Sequence, residues 1–263
     1  MSEEQTQRKA PIANKNPRQV FSRALVAAEQ GNAEAMLVVG ELYARGVGVT
    51  KNFTKALAWY EKSAEAGNGE AAFRVGFSYE IGMGAVVDMK NAVVAYNQAV
   101  RLGSARGLHK MAMLRLTGGG GVEKDRSAGL TMLQEAARSG DSAAYNSIAM
   151  IFLHGAFGQK ADKEKAMKSF SLSARVGNLE GMKNLALLLA DNKQFAEALR
   201  WALTARHGGL GAPELIGIIN ELRGKVDAAT LKKVEEEARA WIRAYAAERG
   251  QARRETQQDA DKT

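Results

Sequence analysis

Three histidines, His109, His154 and His207, are the side chains best suited to metal or proton chemistry near neutral pH, and they lie far apart in a chain of 263 residues. None has a second histidine or a carboxylate at metal-ligand spacing. There is no His-Glu-x-x-His pair and no Gly-x-Ser-x-Gly elbow. His109 and His154 on one face would supply two ligands, too few for a zinc site. Cysteine is absent, which removes disulfides, thiolate metal sites and thiol nucleophiles. The Gly118–Gly121 run invites a phosphate-loop reading, but that loop needs Gly-Lys-Ser/Thr opening a helix behind a strand. Here the run leads into Val122-Glu123-Lys124-Asp125. Asn52-Phe53-Thr54 matches a glycosylation acceptor, without a secretory leader to give it consequence. The expectation is therefore no catalytic residue, no metal and no cofactor.

The glycine run has a simpler meaning. Glycines recur at Gly31, Gly67, Gly103, Gly140, Gly177 and Gly209, and the phrase Ala-x-x-x-x-Gly-x-x-Tyr-x-x-Gly-x-Gly from Ala35 to Gly48 returns from Ala71 to Gly84. A fixed period of this size marks a repeat array of stacked supersecondary units. Within one unit Ala35, Met36, Val39, Leu42 and Tyr43 form the apolar stripe of a first helix. Gly40 lies in that stripe and predicts close approach of a partner helix opposite Ala56, offsetting the cost of a helical glycine. Gly46-Val47-Gly48 ends the helix.

Asn52, Asp88, Asp125 and Asp162 then stand at equivalent places as N-caps of second helices, because their side-chain oxygens accept from orphan amides. Each cap is followed by an apolar stripe such as Ala56, Leu57, Trp59, Tyr60 and Ala64. The third and fourth copies each carry one extra loop residue, and in the fifth Ala190-Asp191-Asn192-Lys193 replaces the glycine loop. The flanks read as caps. Residues 17–30 form a lone second helix, Pro213 opens another, and a final helix runs from about Ala228 to Arg249 with Leu231, Val234, Ala238, Trp241, Ile242 and Tyr245 on one stripe. The expected organisation is a disordered segment 1–16, an array over 17–209, capping helices over 210–249 and a disordered tail 250–263.

Taken together, Ala35 to Asn68 with its glycine loop, Asn cap, Lys-Ala-x-x-Trp-Tyr stripe and closing Gly-Asn resembles the Sel1-like repeat, the longer-looped relative of the tetratricopeptide repeat. The resemblance covers about residues 31–209, with copy five similar to a plain tetratricopeptide unit. It implies an all-α, right-handed α-solenoid of stacked antiparallel helix pairs, with first helices lining a concave side. Members of the family act as adaptors. Many bacterial members are exported, and some carry disulfides; with neither a leader nor a cysteine, this chain is expected in the cytoplasm.

In tetratricopeptide-like units the residue after the helix-packing small residue faces the groove. That position gives Glu41, Phe77, Met113, Met150 and Leu187, and the position three before the small residue gives Leu37, Phe73, His109, Asn146 and Lys183. An exposed row of Phe and Met suits an amphipathic helix or apolar peptide. Stripes of Met and aromatics at helical spacing are equally a mark of core. Glu41, Arg45, Arg106 and Lys183 are charges that would orient a peptide or simply be solvated.

The net charge is +8, with acidic residues interspersed almost everywhere, as solvated helix faces require. The function expected is a non-catalytic scaffold or adaptor binding a protein or peptide partner. Two alternatives are a basic solenoid tracking nucleic acid and a structural protein self-assembling through the helix around Trp241 and Tyr245. No stretch approaches the ~20 apolar residues of a membrane span.

Overall fold

The computed structural model describes residues 16–260, so residues 1–15 of the expected N-terminal segment and 261–263 of the expected tail lie outside the described residues. Its helices are α1 (Pro17–Glu29), α2 (Ala33–Arg45), α3 (Phe53–Glu65), α4 (Gly69–Ile81), α5 (Met89–Arg101), α6 (Ala105–Thr117), α7 (Arg126–Arg138), α8 (Ser142–His154), α9 (Lys163–Arg175), α10 (Leu179–Asp191), α11 (Phe195–His207), α12 (Pro213–Arg223) and α13 (Ala228–Ala260). Among the described residues there is no strand. Each helix from α1 to α11 has 13 residues, a length at which isolated helices are marginal in water. Their stability comes from packing, and successive helices pack as antiparallel pairs, α2 on α3, α4 on α5, α8 on α9 and α10 on α11. The fold is an all-α solenoid of stacked helix pairs.

Internal packing divides the chain into two units, one ending at Lys124 and the other beginning at Asp125. In the first, Val39, Tyr60, Ala72, Tyr96, Ala99, Met111 and Leu116 build the core. In the second, one cluster runs from Ala149 and Phe170 through Met182, Leu185, Leu199 and Trp201 to Leu215, Ile219, Val234 and Ala238.

Two short signals punctuate the array. Asn52, Asp88, Asp125 and Asp162 each accept backbone amides of the first helical turn, as the spacing predicts. The loop then closes on itself: the amides of Asn52 and Asp88 donate to the carbonyls of Tyr43 and Tyr79, each at 2.9 Å. A second set of caps was hidden in the closing turns. Asn32, Asn68, Ser104, Asp141 and Asn178 follow the closing glycines and cap the first helices. Gly67 takes φ +93° with open space around it, so it is there for its left-handed backbone and not for packing. Gly-Asn thus ends one helix and starts the next within two residues.

The helical glycines have the other role. A Cβ at Gly40 would stand 2.5 Å from the Tyr60 ring and 3.1 Å from the Ala56 carbonyl oxygen, and one at Gly76 would stand 2.6 Å from the Tyr96 ring. The close approach is therefore to a tyrosine face as well as to Ala56. Down the register the pairing changes, from glycine and tyrosine to Ala149 with Phe170 in the fourth hairpin, both fully buried.

In the fifth hairpin α10 and α11 are joined by Asn192-Lys193-Gln194, with Lys193 at φ +60° in place of a loop glycine. The third loop contains a 3-10 turn, Gly119–Gly121, which absorbs its extra residue. Pro213 stands in the first turn of α12, and α13 runs beyond Arg249 to Ala260, so the expected tail over 250–263 starts inside a helix.

Gly76→Ala improves intrinsic helix propensity yet drives a methyl into the buried Tyr96 ring. The clash is expected to win, lowering stability by about 1–3 kcal/mol as a fall in urea midpoint.

Candidate functional site

The first helices carry the positions singled out in the sequence, and burial sorts them sharply. In the first unit Leu37 and Phe73 are buried, whereas Glu41, Phe77, His109 and Met113 are half-buried. In the second unit Asn146 and Lys183 are half-buried, while Met150 and Leu187 are 37% and 42% exposed. Leu37 and Phe73 are thus core in the first unit, and Met150 and Leu187 are surface in the second. Phe73 is held because it packs its ring at 5.7 Å from Tyr96 and 6.3 Å from Phe77. The Arg106 guanidinium closes over it, 4.2 Å from the ring centroid.

Sequence reading missed how the charges on this face are used. Arg74 on α4 bonds Glu41 of α2 at 2.9 Å and Glu70 on its own helix at 3.1 Å, and Glu70 takes Arg106 of α6 at 2.5 Å. A zipper of opposite charges therefore ties three successive first helices together. Its signal was in the register, since Glu34, Glu70 and Arg106 occupy the same place in successive repeats. Arg74 and Glu41 are each 31% exposed, which limits such a pair to about 1 kcal/mol. In the second unit Lys183 pairs with Glu180 at 2.7 Å, and the Asn184 amide donates to Asn146 at 2.9 Å. Glu41, Arg106 and Lys183 thus have intramolecular partners.

A cleft of about 240 Å³ opens beside this zipper in the first unit, lined by Glu41, Arg45, Phe53, Tyr60, Arg74 and Phe77 among others. In the second unit a wider trough of about 780 Å³ follows one face of α9, from Lys163 through Met167, Lys168 and Leu172 to Arg175. Leu172 lies off the packed stripe and is 45% exposed, the one sign of that trough in the sequence.

Titratable groups are structural where they are perturbed. Burial, then a 2.5 Å bond to the Glu80 carboxylate, pushes the Tyr96 hydroxyl far above the usual phenol range. Lys110 in turn holds Glu80 at 2.6 Å. Burial also raises Tyr60, opposed by Arg74. His207 is lowered by burial and by Arg239. Among the described residues no three His, Cys, Asp or Glu side chains gather as a metal site. Among them, too, no helix is long and apolar enough to cross a membrane.

Trp241 and Tyr245, offered by the sequence as a self-assembly surface, are engaged within the second unit. Trp241 meets Trp201 edge-on at 6.0 Å and stacks on Tyr245 at 4.9 Å, and the Tyr245 hydroxyl donates to the Val176 carbonyl at 2.8 Å.

Stacked helical hairpins with glycine loops and paired caps define a tetratricopeptide-like repeat protein. The Sel1 repeat matches residues 33–68, 69–104, 105–141 and 142–178 in unbroken succession, and the chain belongs to the Sel1 repeat family. A Sel1 repeat protein from Oxalobacter formigenes is similar at 25% identity and TM-score 0.64, over 85% of this chain and 99% of that one. A putative Sel1 repeat protein from Klebsiella pneumoniae shares 21% identity at TM-score 0.53, over 77% and 99%. The Cut9–Hcn1 hetero-tetramer of the APC/C shows the same fold at 16% identity and TM-score 0.54, over 88% of this chain and 46% of that one. No curated protein matches. Sel1 and tetratricopeptide-like repeat proteins generally mediate protein–protein interactions, and their fold is generally a non-catalytic scaffold.

Phe73→Ala is expected to cost about 3–5 kcal/mol, while Leu187→Ala stays within about 0.5 kcal/mol; chemical denaturation of both separates core from surface along the row. Because Tyr96 stays protonated when folded, while an unfolded tyrosine ionises near pH ~10, its contribution is complete below that pH and is lost as pH rises above it. Tyr96→Phe should flatten the alkaline fall in urea midpoint.

Proposed function

We propose that the chain is a non-catalytic adaptor, placed in the cytoplasm, which binds an amphipathic helix or extended peptide on the concave, first-helix face of its repeats. The observation that carries the reading is the pair Met150 and Leu187. These are large apolar side chains at equivalent places on α8 and α10, exposed to water where neighbouring positions on the same helices are buried. Asn146 and Lys183 stand one turn earlier and supply polar groups for peptide orientation. In the first unit Phe77 and Met113, with Glu41 and His109 beside them, give a shallower version of the same face, while Leu37 and Phe73 support it from beneath. Methionine's flexible thioether suits a surface that adapts to its ligand, and i, i+3, i+4 apolar anchors on a partner helix would match the spacing.

Capture from source-cell lysate at moderate salt tests this. Protein bound by the native chain should be lost in a Met150→Glu, Leu187→Glu variant whose helicity is unchanged, a drop of tenfold or more. Equal capture by both chains would refute the face, and nucleic acid retained by both would favour a basic-surface mode instead.

A further inference from the structure

In the first unit the hairpin loops share one edge. Gly48 packs on the backbone of Pro17 at the start of α1, and Gly84 packs on that of Phe53 at the start of α3. A Cβ at Gly120 would meet Met89 and Val93 at the start of α5, at 3.1 and 3.0 Å. Each loop therefore leans on the opening turn of the preceding second helix, and the row is continuous.

That edge carries aliphatic side chains in full contact with water. Val86 is 87% exposed, Val87 59%, Ile81 49% and Val47 38%. The repeat register shows how unusual the second loop is. Counting back from the cap, Val86-Val87 stands where the other copies have Thr50-Lys51, Glu123-Lys124 and Lys160-Ala161. Ile81, before the left-handed glycine, stands where the others have Arg45, Thr117 and His154. The loop does not need these valines for its geometry, because Gly82 and Asp88 end and start its helices as in the neighbouring copies.

Lysines surround them. Lys51, Lys55, Lys90 and Lys124 are all exposed on the same edge. Among the described residues none of them has a carboxylate partner in an ion pair. Two lie along aromatic rings, Lys51 on Phe53 at 4.6 Å and Lys55 on Tyr43 at 5.6 Å. Of the edge's acids, Asp88 is held by the amides of α5, and Glu80 by Tyr96 and Lys110, which leaves Glu123. On the opposite edge exposed acids and bases balance, Glu29, Glu34 and Glu65 beside Lys62, Arg101 and Arg106, around isolated Val26 and Leu102.

We propose that the loop edge of the first unit docks on an anionic lipid bilayer, with Val86, Val87 and Ile81 entering the headgroup layer and the lysines meeting lipid phosphates. Interfacial binding needs both contributions, buried apolar area and attraction to anionic lipid. A nucleic acid would engage the lysines but leave the valines in water, since its bases call for stacking rings. The residues are distinct from Met150 and Leu187, so this inference stands or falls separately from the partner-binding face.

The native chain lacks cysteine, so Val86→Cys can carry a single polarity-sensitive dye in the otherwise intact protein. Glu65→Cys places the same dye on the opposite edge. With phosphatidylcholine–phosphatidylglycerol vesicles the dye at position 86 should brighten and shift to the blue, while the dye at 65 stays silent and phosphatidylcholine alone moves neither. In vesicle co-sedimentation, Val86→Asp, Val87→Asp should weaken binding tenfold or more, and each of Lys51→Gln and Lys90→Gln about fivefold. Met150→Glu, Leu187→Glu should bind vesicles as the native chain does. Equal dye responses at both edges, anionic-vesicle binding that survives Val86→Asp, Val87→Asp, or no vesicle binding alongside retention of nucleic acid or an acidic protein would each overturn the proposal.

Discussion

The hairpins α2–α3, α4–α5, α8–α9 and α10–α11 depend on how closely their two helices approach. At 13 residues neither helix has the length to persist alone, so the contact between them has to be tight enough to hold both. The first two hairpins solve this by omitting a side chain. Gly40 and Gly76 let the Tyr60 and Tyr96 rings lie against helix backbone, with dispersion contacts made over a whole ring face. The fourth hairpin restores a methyl and drops the partner's hydroxyl, as Ala149 and Phe170 show. Volume is traded across the interface while helix length and period stay nearly fixed. This is the compensation that close-packed interiors require.

Much of this was legible because glycine and Asn or Asp carry single, local meanings. A left-handed turn needs glycine, and an orphan amide needs a short oxygen-bearing side chain, so the loops, the caps of the second helices and the shortened fifth turn could all be placed by spacing. The caps at Asn32 and Asn68 went unread because the closing glycine before them already explained the break. The groove was harder. Leu37 and Leu187 occupy equivalent places one helical turn apart in different copies, and both are leucines. Only the three-dimensional neighbours decide that one is buried and the other is wet. Identity and period specify a face of a helix; they do not specify how much the next repeat covers it.

Charge was the other blind spot. Interspersed acids and bases look like ordinary solvated surface, and taken singly each is. Glu41, Arg74, Glu70 and Arg106 become a connected row only when repeats are stacked, since their partners are about one period away. Such a row adds modest stability. It also fixes orientation, because a first helix shifted by one turn would set like charges against each other. Tyr96, Glu80 and Lys110 do the same between a second helix and the first helices on either side.

The final helix has a consequence for length. In every earlier hairpin the second helix offers its far side to the next repeat, but α11 gives that side to α12 and α13. Tyr245 reaches back to the closing turn at Val176 and Gly177, and Trp241 covers the edge of Trp201. A stack of near-identical modules is otherwise an open polymer template, since each free end resembles the surface that received the previous module and invites head-to-tail addition of another chain. Helices α12 and α13 occupy that receiving surface on α11, so a further module cannot add there.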